Sequence, residues 1–246
     1  GLMTRHGFSG PTDILEGENG FARAYADDSD FSKITDGLGT DFRLLEVTVK
    51  GHASSARVMA AVEGMAELGA EHDFGINDIE KIRIGIPSVI KGRLTINEPV
   101  DIQAAQMSLP FSMALAALRT PEAGAGLSLS IGDYVENIDN PDVRDLSKRI
   151  DCDVDTKMDE QAAGDSVPAD ITVTLKDGGE KSTYVSAPKG SPSRPFTRED
   201  HVSRFNGELQ KRYAKEKVAN ILDQLEHFAE LPDVSSLGKV LNNSLD

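Results

Sequence analysis

The chain has 246 residues, of which 39% are apolar, a formal net charge of −15 and one cysteine. That length allows one large domain or two small ones, and the negative balance excludes a duplex nucleic-acid binder or a protein drawn to an anionic membrane. No stretch approaches the roughly 18 apolar residues that a span requires, and no basic-then-apolar leader opens the chain, so a cytoplasmic protein is expected.

In chain order, Gly1–Gly7 reads as the last turns of a helix ended by Gly7, with Arg5 and His6 suited to its negative end. A start inside a helix suggests that preceding chain is missing. Phe8–Thr12 is a turn, and Phe21–Tyr25 a short amphipathic turn. Leu44–Val49 alternates and is rich in β-branched residues, which predicts a strand. Ala56–Leu68 has apolar residues near a 3.6 period and should be a helix stopped by Gly69. Lys81–Ile86 reads as a strand ended by Pro87. Asp101–Arg119 is a second helix, with a kink or a late start at Pro110. Pro141–Ile150 is a short helix capped by Asn140. Ala169–Leu175 and Ser182–Ala187 flank Lys176–Gly179 as a hairpin. Pro188–Pro195 is the clearest linker. Beyond it the pattern is helical: Thr197 to about Tyr213, Ala214–Phe228, and Val234–Leu241. Three blocks result: 1–43 helical, 44–192 α+β, and 193–246 helical. The outer two carry too little apolar surface to fold alone.

Few residues carry chemistry on their own. Cys152 lies between Asp151 and Asp153, whose charges should raise its pKa and make it a poor nucleophile. Five scattered histidines and one cysteine offer no metal-ligand spacing, so no metal is expected. Asp133–Asp165 carries eleven acidic residues against four basic ones, which reads as a solvated face. An anionic substrate would therefore need a locally basic pocket. Lys91 and Arg93 form a small basic loop that could meet an anion. Ser54 and Ser55 stand where a helix N-cap is expected, and a helix start there would also offer N–H donors to a carboxylate.

Several stretches together resemble the MmgE/PrpD family. Gly7–Phe8–Ser9–Gly10–Pro11 followed by Ile14–Phe21 is similar to its "GFTGP…LEG..GF" segment. Ala104–Ala114 resembles its "A.FSLPY..A.AL" helix. Asp177–Gly178, Pro188–Pro192 and Phe196–Thr197 resemble its "DG…PKG.P..PLT" run, and Phe205–Asn206 falls near its "KF". Lys50–Ser55 sits where the family has a lysine, an aromatic and a Cys-containing pair. Each motif is weak alone, but their order and spacing are specific.

The resemblance implies an inserted α+β lid domain flanked by helical segments of an otherwise missing all-helical domain. It implies cofactor-independent chemistry on small polycarboxylates: dehydration of 2-methylcitrate foremost, otherwise decarboxylation of cis-aconitate or epimerisation of iminodisuccinate. All three need proton transfer beside a carboxylate and cations to hold the anion. Of the family's active-site groups only the lysine carries over, to Lys50. Its neighbour His52 is a candidate acid or base, and Ser54, Ser55, Lys91 and Arg93 are candidate substrate contacts. The family's other catalytic groups lie in the half this chain lacks. The resemblance thus leads to a protein inactive alone, working as a homodimer or with a separate N-terminal half. A non-catalytic subunit or binding module is the alternative.

Overall fold

A computed structural model describes residues 1–162 and 167–242; Asp165 of the acidic stretch lies outside them. The chain separates into two compact units, Gly1–Leu45 and Glu46–Asp246.

The first unit holds two short helices, α1 (Leu2–Arg5) and α2 (Phe21–Tyr25). Gly7 adopts a positive φ of 85° just past α1, as a helix-ending glycine does. Neither helix buries a residue. Leu2, Phe8, Phe21, Leu38, Leu44 and Leu45 are all exposed, so this unit has no apolar core of its own.

In the second unit α3 (Met59–His72) leads into strand β1 (Ile79–Ile86), followed by α4 (Ile102–Gln106), α5 (Leu109–Ala123), α6 (Ile131–Asn137) and α7 (Pro141–Lys148). Strands β2 (Ile150–Val154), β3 (Ala169–Leu175) and β4 (Glu180–Val185) come next, then helices α8 (Arg198–Gln210), α9 (Lys215–Glu226) and α10 (Ser235–Asn242). The four strands form one sheet in the order β2-β1-β3-β4, with β1 and β2 parallel and the other pairs antiparallel. This mixed architecture is compatible with an α+β class. Ile79, Ile82, Ile84 and Ile86 of β1 all point into the core. A register shift between Ile79 and Lys81 realigns the alternation, as a bulge does. Helices α3 and α5 pack on each other, and α3 also packs on β3 and β4. Their buried faces include Met59, Val62, Met65, Phe111, Met113 and Leu115. At about 25 cal/mol per Å² of apolar surface removed from water, this layer is the main source of stability.

The predicted helices and strands of the second unit are present, with four corrections. Leu44–Val49 is not a strand: Arg43–Glu46 forms a 3-10 turn and 47–50 are irregular. Val49 donates one hydrogen bond to the Gly190 carbonyl (2.8 Å), but no ladder forms, and alternation without a paired edge does not make a strand. Gly69 does not stop α3. A Cβ there would lie 3.0 Å from Thr120 Cγ2, so the glycine lets α3 approach α5 closely, and the helix ends at left-handed Asp73 (φ 53°). The segment 101–119 is two helices, because Ser108 caps α5 by accepting from the Phe111 N–H (3.0 Å). Pro110 falls in the first turn, where no N–H is needed.

The fourth correction concerns Pro188–Pro195, which is not a free linker. Gly190 and Ser191 are buried. Gly190 N–H donates to the Arg194 carbonyl (2.7 Å), and Lys189 N–H donates to the Glu63 carboxylate of α3 (2.9 Å). Gly190 has φ +90°, and a Cβ there would sit 2.1 Å from the Val49 carbonyl oxygen. Among the described residues no helix is long and apolar enough to cross a membrane.

Candidate functional site

The segment 50–55 carries no regular structure, yet it is firmly held. Ser128 Oγ donates to the Gly51 carbonyl (2.7 Å), Ala53 N–H to the Leu129 carbonyl (2.8 Å), and Ser55 N–H to the Gln106 carbonyl (2.9 Å). These bonds bury Gly51 and His52. His52 is 4% exposed, and its Nδ1 accepts from the Leu129 N–H at 3.2 Å. Burial first, and the positive charge of Arg204 second, lower its pKa to about 4. The ring is therefore neutral at pH 7 with its proton on Nε2, and that N–H has no protein partner among the described residues.

A cleft of about 420 Å³ opens beside His52, between the 126–128 segment, α3, the Lys189–Phe196 segment and α8. A second depression adjoins it, sharing His52, Ser128, Arg204, Glu208 and Lys211 and extending to Arg119 and Asp133. Helix α8 starts with a capping box in which Thr197 and Asp200 satisfy each other's N–H groups. Asp200 also takes Lys189 Nζ at 2.7 Å; this bond and the Thr197 donors pull its pKa down to about 2. His201 packs edge-on against Phe196 with ring centroids 5.5 Å apart, and Arg204 lies over the same ring at 5.9 Å.

Glu63 forms the α3 wall. Burial raises its pKa to about 7, despite the Lys189 N–H and the nearby Arg194 guanidinium, which act the other way. Arg194 is 3.5 Å from Glu63 and 3.7 Å from Glu67, so this wall clamps the 187–196 segment to α3.

Behind the 50–55 segment lies a buried hydroxyl cluster. Tyr134 in α6 is fully buried and its OH is 2.9 Å from Ser112 Oγ in α5. Burial pushes its pKa up to about 12, partly offset by the Ser112 and Ser54 hydroxyls. Ser54 is buried here rather than capping a helix. Ser55 occupies the N-cap of the 3-10 turn Ala56–Val58 but makes no side-chain cap bond. The predicted capping role of this serine pair is not realised: the Ser54 hydroxyl is turned to Tyr134, and Ser55 is held through its backbone N–H to Gln106 rather than through a side-chain cap.

The structure brings some predicted site residues together and not others. His52 lines the cleft, and Ser54 sits directly behind it. Lys50 is exposed, next in the chain to cleft-lining Gly51. Lys91 lines a separate depression with Thr95, Asn97 and Lys148, and its Nζ donates to the Cys152 carbonyl. Arg93 is exposed and lines neither depression at His52. Cys152 is buried in β2 and its pKa is raised to about 11; burial is the larger cause and the flanking aspartates a smaller one, opposed by Lys91. No group of three or more His, Cys, Asp or Glu side chains suited to a metal ion occurs among the described residues.

Sequence reasoning missed Arg204, Glu63 and Tyr134. Glu63 was detectable as a charge inside the apolar run Met59–Leu68. Arg204 stands immediately before Phe205–Asn206, the pair noted for its likeness to a family motif. Tyr134 left no signal, since its partners lie 22 and 80 residues away in the chain.

Comparison with known proteins gives two findings. Residues 52–227 match the family model of the MmgE/PrpD C-terminal domain. Over 108 residues the chain is 24% identical to cis-aconitate decarboxylase of Mus musculus, covering 44% of this chain and 22% of that protein. The matched part thus spans about a fifth of that relative's length.

Proposed function

The chain belongs to the MmgE/PrpD family, and from that premise we propose that it is the C-terminal portion of a cofactor-independent lyase, a hydro-lyase foremost, acting on a small polycarboxylate. Decarboxylation or epimerisation of such an acid is the nearest alternative. The observation that carries this reading is the cleft beside His52. In a chain of net charge −15 it brings Lys189, Arg194, Arg204 and Lys211 beside a neutral imidazole, interleaved with the carboxylates of Glu63, Glu67, Asp200 and Glu208, and it leaves the Arg204 guanidinium without an ion-pair partner among the described residues.

Removing a proton next to a carboxylate builds negative charge that a buried donor and nearby cations can offset. With Nδ1 occupied by the Leu129 N–H, His52 is suited to donate a hydrogen bond from Nε2 to that developing charge. It is less suited to shuttle a proton, because its one basic nitrogen is already engaged. Lys50 is the second candidate for charge stabilisation. In this reading the proton-transfer groups come from protein outside this chain, and the exposed apolar side chains of the first unit support further protein covering them. The partner is a separate N-terminal half or a second copy.

The test is turnover. The chain alone and mixed with the N-terminal half of a family dehydratase is assayed on 2-methylcitrate and cis-aconitate. Activity only in the mixture is expected. Full turnover by the chain alone would refute the dependence on a partner, and no turnover in any mixture would count against the lyase reading. Recovery of a stable complex with no activity would favour a non-catalytic subunit.

A further inference from the structure

Four cations line the cleft next to His52, and three are already engaged. Lys189 is 2.7 Å from Asp200, Lys211 is 2.8 Å from Glu208, and Arg194 is 3.5 Å from Glu63. An anion binding to any of these must break or share an existing ion pair. Arg204 differs. It is half-buried and makes no ion pair with a carboxylate among the described residues. Its guanidinium carbon lies 5.9 Å from the Phe196 ring centroid. It borders both depressions that meet at His52. A guanidinium over an aromatic ring is held in orientation by the ring, while its N–H groups remain able to meet a carboxylate at two points.

Resting on the reading above, we propose that Arg204 is the carboxylate-binding residue of this cleft, holding one carboxylate of a small polycarboxylate edge-on above Phe196 with the Nε2–H of His52 as a second contact. The two contacts are complementary: one is a fixed cation with a planar fork, the other an uncharged donor that adds no further charge. The role is one of binding, and it makes the tail helix α8 part of the substrate site.

Calorimetric titration of the full chain with citrate tests this, with acetate and inorganic phosphate as controls. Citrate should bind in preference to both. Arg204→Met should weaken citrate by about 10- to 100-fold, the loss of one or two charge-assisted hydrogen bonds. Arg204→Lys keeps the charge but not the fork and should recover only part of that loss. Circular dichroism and the thermal midpoint check that each variant folds. Should Arg204→Met fail that check, unchanged citrate affinity in Arg204→Lys would still overturn the two-point hold. Equal citrate affinity in a folded Arg204→Met would overturn the Arg204 assignment while leaving the polycarboxylate reading standing. Absence of citrate binding by the unaltered chain would overturn both, and tighter binding of phosphate than of citrate would overturn the carboxylate assignment.

Discussion

Replacing Glu63 by Gln should change how stability depends on pH, because Glu63 and His52 oppose each other across one cleft. The Glu63 side chain is 12% exposed and burial lifts its pKa from 4.5 to about 7. The folded chain therefore keeps this proton where the unfolded chain has released it. The resulting stability is fully present below pH 4.5 and is lost as pH rises through 7. His52 runs the other way: its pKa falls from 6.5 to about 4. Its contribution is fully present above pH 6.5 and is lost as pH falls toward 4. At about 1.36 kcal/mol per unit, each full span is worth about 3 kcal/mol, and each changes by about 2 kcal/mol between pH 4.5 and 6.5. In the unaltered chain these two slopes offset each other. Glu63→Gln removes the first, so the variant should lose about 2 kcal/mol more than the unaltered chain on acidification from pH 6.5 to 4.5. Urea unfolding at both pH values measures this, and carboxylates elsewhere cancel in the comparison. Parallel pH dependences for the two chains would refute the assignment of opposing buried groups.

Two further outcomes are expected. Tyr134→Phe removes the buried phenolic O–H and leaves Ser112 and Ser54 short of a partner, which should cost about 1–3 kcal/mol in urea unfolding; adding Ser112→Ala should cost less than the sum of the two single changes. Gly190→Ala places a methyl against the Val49 carbonyl at a backbone angle that side chains avoid, so it should destabilise by about 2–4 kcal/mol. It should also expose the Lys189–Gly190 peptide bond to trypsin, and undiminished resistance of that bond would show that the segment is not held as described.

The elements with strong periodicity were legible in the sequence because their local pattern and their burial agree. The apolar stripe of α3, the Asn140 cap and the isoleucines of β1 belong here. The 50–55 segment stood out through its motif and its position before a helix, and the structure places His52 of that segment at the cleft. Leu44–Val49 and Pro188–Pro195 misled for a common reason: each was judged by composition, while its conformation is set by the other. The Val49 hydrogen bond ends on Gly190, and Gly190 is packed against Val49 and Phe196.

By itself the sequence determined the charge, the lone cysteine, the helices and strands with clear periods, and the family likeness, all of which follow from residue identity and near-neighbour spacing. Only the tertiary structure decided that His52 is buried, neutral and bonded through Nδ1, that Glu63 faces it across a cleft, and that Arg204 arrives there from a helix about 150 residues along the chain. Protonation state and ion pairing depend on solvent exclusion and on charges brought close in space, and those distances exist only once the chain has folded.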